Sequence, residues 1–124
     1  MRLLLIEDDE AVANVIADAF SSQGHETMIK YSGEDGLDYL TRERPDAVVL
    51  DVRLPRLNGV AVLRQIRSTN PTLPVIIMTG LATPGEIAEV RRLGAEIIEK
   101  PLLLRNFSEA LARIAKRPLP QDAT

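Results

Sequence analysis

The sequence predicts an α/β domain: a doubly wound (βα)5 arrangement, with a five-stranded parallel sheet and helices on both of its faces. Three observations lead there. Short apolar runs at Arg2–Ile6, Ala47–Leu50, Val75–Met78 and Ala95–Ile98 lack polar alternation, as strands buried on both faces do. Segments of helical period separate them, so strand and helix alternate five times. The 124 residues, 45% of them hydrophobic, are enough for one compact domain with a real core. With aromatics at 3%, that core is expected to consist of Leu, Ile, Val and Ala rather than rings.

Each element has its own signal. Arg2–Ile6 runs straight into four consecutive acids, Glu7, Asp8, Asp9 and Glu10. The first helix spans Glu10–Gln23, with Val12, Ile16 and Ala19 on one face and Glu10, Asn14, Asp18 and Ser21 opposite. His25–Tyr31 mixes polar and apolar positions and reads as a less buried, outer strand. Ser32 with Asp35, and Thr83 with Glu86, are N-cap residues with an acid three positions on, and Pro84 takes the first helical position. Asn58-Gly59 opens the apolar-periodic stretch Val60–Ile66. Asn106 with Glu109 is expected to cap the last helix ahead of Ala110–Ile114. The connections should be right-handed crossovers. The segment 118–124, with two prolines, reads as a flexible tail or the start of a linker after a domain spanning 1–117.

Composition removes several function classes. A formal net charge of −3 without a basic cluster argues against direct nucleic-acid binding by this segment. The absence of cysteine excludes disulfides, thiol catalysis and cysteine zinc sites. No apolar run approaches the roughly 20 residues that span a bilayer. Leu3–Ile6 is too short for a signal-peptide core, so a soluble cytoplasmic chain, with Met1 as its true start, is expected.

In sheets of this kind, ligands bind beyond the carboxyl ends of the strands, where the strand order reverses. The residues found there are Glu7-Asp8-Asp9 after the first strand, Asp51 after the third, Thr79 after the fourth and Lys100-Pro101 after the fifth. Each alone has an ordinary reading. Asp9 suits an N-cap, Asp51 a turn, Thr79 a loop start and Lys100 a solvated strand end. Together they form a set. Converging carboxylates repel unless a cation sits among them, and hard oxygen ligands at an open site suit Mg²⁺. An anion beside Asp51 would meet that metal, the Lys100 ammonium and the Thr79 hydroxyl, which are the components of phosphoryl transfer to a carboxylate nucleophile.

These residues resemble the receiver domains of bacterial two-component response regulators. The likeness runs from Arg2 to about Lys116. It is carried by Leu3–Glu10, by Val48–Pro55 with Asn58-Gly59, by Pro74–Gly80, and by Gly94-Ala95 followed by Glu99-Lys100-Pro101. It implies a flavodoxin-like sheet of order 2-1-3-4-5. By the same resemblance, Asp51 would be phosphorylated by a sensor histidine kinase or phosphotransfer protein. Asp8 and Asp51 would ligate Mg²⁺, Glu7 would act through water, and the Arg53 backbone carbonyl would complete the metal shell. Thr79 and Lys100 would hold the phosphoryl oxygens, and the Lys100–Pro101 bond would be cis. The signal would pass through the surface around the last two helices to an output partner, a C-terminal effector domain or a phosphorylation-dependent dimer. Of the first helix's outer face, Glu10, Asn14 and Asp18, with Ala17 and Ser21, form a candidate kinase-docking surface, with a plain solvated face as the alternative.

The chain departs from the family pattern at the switch. Ile97 stands where an aromatic is usual, Leu102 replaces another, and Gly94 to Lys100 is one residue short. Output is therefore expected to rely on movement around Thr83–Leu93, with Arg53 and Leu81 tuning the phosphoryl lifetime. Two other readings use the same residues: a phosphorylation-independent pseudo-receiver, and a phosphatase with Asp51 as nucleophile. The phosphatase lacks a general acid, since Arg53 stands where a second Asp would be needed. His25 is expected to be an ordinary surface residue.

Overall fold

The computed structural model describes residues 1–80, 82–99 and 104–116, with side chains not described at 104, 105 and 114–116. Elements alternate as expected: β1 (Arg2–Ile6), α1 (Glu10–Ser22), β2 (Glu26–Lys30), α2 (Gly33–Leu40), β3 (Ala47–Asp51), α3 (Gly59–Thr69), β4 (Val75–Thr79), α4 (Pro84–Arg92), β5 (Glu96–Glu99) and α5 (Leu104–Lys116). All five strands are parallel, in the order β2-β1-β3-β4-β5.

Alternate strand residues feed two core layers. Leu4, Ile6, Val48, Leu50 and Ile77 pack beneath Tyr39 of α2, Val62, Leu63 and Ile66 of α3, and Val90 of α4. On the other face Leu3, Leu5, Val49, Ile76 and Met78 meet Ala13, Ile16 and Phe20 of α1 and Phe107, Ala110 and Leu111 of α5. β3 and β4 are buried along their whole lengths, as their unbroken apolar runs require. β2, at the sheet edge, is only half-buried.

Caps set the helix starts. Ser32 Oγ accepts from the Asp35 N–H at 3.1 Å. Thr83 and Glu86 form a reciprocal capping box with Pro84 in the first turn, and Asn58 Oδ1 accepts from the Val60 N–H at 2.7 Å.

Four expectations need correction. The core does contain rings: both phenylalanines are buried, with Phe20 and Phe107 edge to face at 4.9 Å between centroids, because they lock α1 to α5. The buried stripe of α1 is Ala13, Ile16 and Phe20, with Val12 and Ala19 at its margins. The fifth strand runs one residue later than its apolar run. Asn106 lies inside α5 rather than capping it, because the apolar stripe of that helix starts at Phe107, not Ala110.

Candidate functional site

Strand register brings the site together. Ile6 lies opposite Leu50, and Asp51 opposite Met78, so Glu7, Asp51 and Thr79 emerge at one edge of the sheet, where β1 and β3 diverge in connection. Ligand atoms of Glu7, Asp8 and Asp51 all lie within 4.8 Å of one another. Glu7 and Asp51 are buried, while Asp8 faces solvent.

The four consecutive acids divide their work. Asp9 is the N-cap of α1, its Oδ1 accepting from the Val12 N–H at 3.0 Å, while its own N–H donates to Glu7 Oε1 at 3.2 Å. Glu10 lies in the first helical turn, where a negative charge suits the helix dipole. That leaves Glu7 and Asp8 for the pocket. Asp51 is oriented from behind, since its Oδ1 accepts from the Arg53 N–H at 3.0 Å.

Gly59 shapes the floor. Its N–H donates to the Val52 carbonyl at 2.9 Å, and a Cβ there would collide with the Asp51 carbonyl oxygen. Only glycine lets α3 begin this close to the strand that carries Asp51.

Next to the acids, Thr79 is 4% exposed, and its Oγ1 has no hydrogen-bond partner among the described residues. A buried hydroxyl left so is costly unless a ligand oxygen completes it. Thr79 also lines a narrow crevice with Val52, Ala82, Glu86, Ile87, Val90 and Ile97. Ile97, which stands where the resembled pattern usually has an aromatic, therefore faces the same space as Thr79.

The Arg53 side chain turns to α4, donating from Nη2 to Glu86 Oε1 at 2.8 Å and from Nη1 to Glu86 Oε2 at 3.2 Å. This contact was not foreseen. The capping box revealed Glu86, but a pairing across 33 residues leaves no periodic trace. Glu10, Asn14 and Asp18 are exposed together on α1, with Val15 69% exposed beside them. His25 sits before β2 with its Nδ1 2.9 Å from the Met1 nitrogen; burial, then that ammonium, lowers its pKa. Lys100, Pro101, Leu81 and Leu102 lie outside the described residues.

Two buried carboxylates and a third beside them repel strongly when ionised, and a hard divalent cation at their open face relieves this, so the donor set fits Mg²⁺. No helix among the described residues is long and apolar enough to cross a membrane.

The fold and this edge define a class: a doubly wound α/β domain whose acidic pocket lies at the strand-order switch point. The family model for the response regulator receiver domain matches residues 3–112, and the chain belongs to that family. It is thus a receiver domain of the kind found in two-component response regulators. It is 34% identical over 123 residues to the response regulator MprA of Mycobacterium avium, covering 98% of this chain and 54% of that protein. MprA of Mycobacterium leprae is 35% identical over 124 residues, 99% of this chain and 54% of the relative. The chain therefore spans about half the length of the curated relatives it matches. Among solved structures, a receiver domain protein from Clostridium thermocellum aligns with TM-score 0.86 at 28% identity, covering 91% of this chain and 92% of the other. A CheY-like receiver domain protein from Methanospirillum hungatei shares the fold, with TM-score 0.88 at 24% identity over 93% and 94% of the two chains.

Proposed function

We propose that Asp51 accepts a phosphoryl group from a phosphohistidine on a sensor kinase or phosphotransfer protein, in a site that uses Mg²⁺. The observation that carries this is the convergence of Glu7, Asp8 and Asp51 within 4.8 Å, at the strand edge where Thr79 keeps a buried, unpartnered hydroxyl among the described residues. In the step, a carboxylate oxygen of Asp51 bonds to phosphorus while the phosphorus–nitrogen bond of the donor breaks, its electron pair leaving on the imidazole. The Arg53 N–H on Oδ1 fixes the direction in which the carboxylate presents itself. Thr79 Oγ1 would donate to a phosphoryl oxygen, and Lys100 would pair with another. Asp8 and Asp51 would ligate the metal directly, with Glu7 through water and the Arg53 carbonyl as a further ligand. Bound there, Mg²⁺ would neutralise charge developing on the transferring oxygens.

The exposed Glu10, Asn14 and Asp18 face of α1 borders the acidic edge and suits the donor protein's approach. The surface around α4 and α5 would carry the output, to a partner, an effector domain beyond the tail at 118–124, or a second copy. A cytoplasmic location and a domain boundary near 117 belong to the same reading. Incubation with acetyl phosphate and Mg²⁺, read by intact mass, tests it. Wild type should gain one phosphoryl group, Asp51→Asn none, and wild type with excess chelator none. Equal modification of Asp51→Asn would overturn the assignment.

A further inference from the structure

We propose that Glu86 is a positioning residue for the Asp51 site: it holds the Arg53 guanidinium on α4, and a phosphoryl group on Asp51 draws that guanidinium away. The inference rests on the Asp51 reading above and adds a counter-charge that governs the site and couples it to α4.

Arg53 is two residues past Asp51, and its backbone N–H is already on the Asp51 carboxylate. Its side chain pairs with Glu86, both terminal nitrogens of the fork meeting both carboxylate oxygens. Glu86 is not a loose surface acid. Its Oε1 also accepts from the Thr83 N–H at 2.9 Å, and its own N–H donates to Thr83 Oγ1 at 3.1 Å. The carboxylate that holds Arg53 is therefore the one that starts α4. The Thr83 N–H, and after it Arg53, keep the Glu86 carboxyl below its ordinary range.

The pair is suited to exchange. The two side chains are 49% and 21% exposed, so it is weakly held against competition. A phosphoryl group brings a charge of about −1.5 to −2 and three acceptor oxygens, against the single charge of Glu86. Guanidinium favours such an acceptor. Helix α4 in turn leans on its charges. Val90 is its one fully buried residue among those described, and Arg64 reaches Glu89 in a second bidentate pair from α3. Removing Arg53 from Glu86 thus loosens the first turn of α4, whose cap, Thr83, lies four residues after Thr79.

Glu86→Gln tests this, because glutamine still accepts from the Thr83 N–H and keeps the cap while losing the charge. The apparent second-order rate constant for phosphorylation by acetyl phosphate should rise about fivefold at low ionic strength. The gain should appear in the donor-concentration dependence rather than in the saturated rate, and shrink towards unity near 1 M salt. In an Arg53→Gln background the same Glu86→Gln change should do nothing, an outcome a merely structural role would not produce. Equal rates for wild type and Glu86→Gln, or an undiminished effect without Arg53, overturns the inference while leaving phosphorylation of Asp51 intact. Modification of Asp51→Asn at the wild-type rate would instead sink the reading beneath it.

Discussion

Gly59→Ala is the sharpest test of how the fold makes the site. An alanine Cβ would run into the Asp51 carbonyl oxygen and lie 2.8 Å from Val52 Cα and 3.0 Å from the Asp51 carbonyl carbon. These are backbone atoms at the end of β3, tied to β4 through the Asp51–Met78 pairing and the Val52 N–H on the Met78 carbonyl, so they cannot swing aside as a side-chain tip does. Helix α3 must instead lift at its start, disturbing the Gly59–Val52 hydrogen bond and the Asn58 cap. Overpacking of this kind costs about 1–3 kcal/mol and a weakened cap up to about 1 kcal/mol more. The better helix propensity of alanine returns less than about 1 kcal/mol. A net loss of about 2–3 kcal/mol lowers Tm by roughly 8–12 °C for a domain of this size. If Asp51 yields too, a displacement of about 1 Å can slow phosphorylation up to about 100-fold. Urea unfolding and acetyl phosphate labelling of the same samples read both quantities. Gly85→Ala is the control: its nearest neighbour is Thr83 Oγ1 at 4.0 Å, so stability should hold or rise by about 0.5–1 kcal/mol. Gly59→Ala within about 0.5 kcal/mol of wild type and labelling at full rate would refute the reasoning.

Arg67 donates from Nε to the Leu93 carbonyl at 2.6 Å and from Nη1 to the Leu73 carbonyl at 2.6 Å, tying α3 to the end of α4 and the entry to β4. Arg67→Met keeps the stem but strands those acceptors, and urea titration should show a loss of about 2–3 kcal/mol with an unchanged m value. Arg56 has φ +65°, a left-handed conformation unfavourable for a side chain, and its contact with Glu34 is a long, exposed 3.6 Å. Arg56→Gly should therefore stabilise by about 0.5–1 kcal/mol, and a loss measured by the same titration would show that this contact matters more than the strain. Glu86, held down first by the Thr83 N–H, and Glu89, first by Arg64, both have carboxyls lowered from an ordinary 4.5. Depressed values mean stabilisation complete above that pH and lost as pH falls through the folded values. Hydrogen-exchange protection of α4 should thus fail in acid before that of β3 and β4, and parallel loss in helix and sheet would count against its docking by ion pairs.

The features legible in the sequence were those with a short-range rule behind them. The unbroken apolar run at Val75–Met78 could only be a doubly buried strand, and Thr83-Pro84 with Glu86 could hardly be anything but a helix start. Because every strand is parallel, knowing where each run ends was enough to place Glu7, Asp51 and Thr79 on one edge. Local signals failed where tertiary packing decided. Two phenylalanines among 124 residues look negligible by composition, yet each fills the gap between α1 and α5. Asn106 and Glu109 imitate a cap inside a helix whose start is set by the need to bury Phe107.

The same limit explains why the route from the site to the surface was obscure. The sequence showed that an aromatic was missing at Ile97, which removes a hydroxyl or ring edge from the space beside Thr79, and it pointed to movement around Thr83–Leu93 without showing which contact would drive it. In the structure Ile97 contributes only aliphatic lining to that crevice, alongside Ile87 and Val90. An aliphatic wall transmits shape but does not respond to charge, and the event expected at Asp51 is a change of charge. Among the described residues, the polar path from the Asp51 strand to α4 is the Arg53–Glu86 pair. It joins a residue read as a tuner of phosphoryl lifetime to one read as half of a capping box. The contact falls inside the Thr83–Leu93 segment on which output was expected to rely, and because it is charge-sensitive, a salt dependence is the observable to seek.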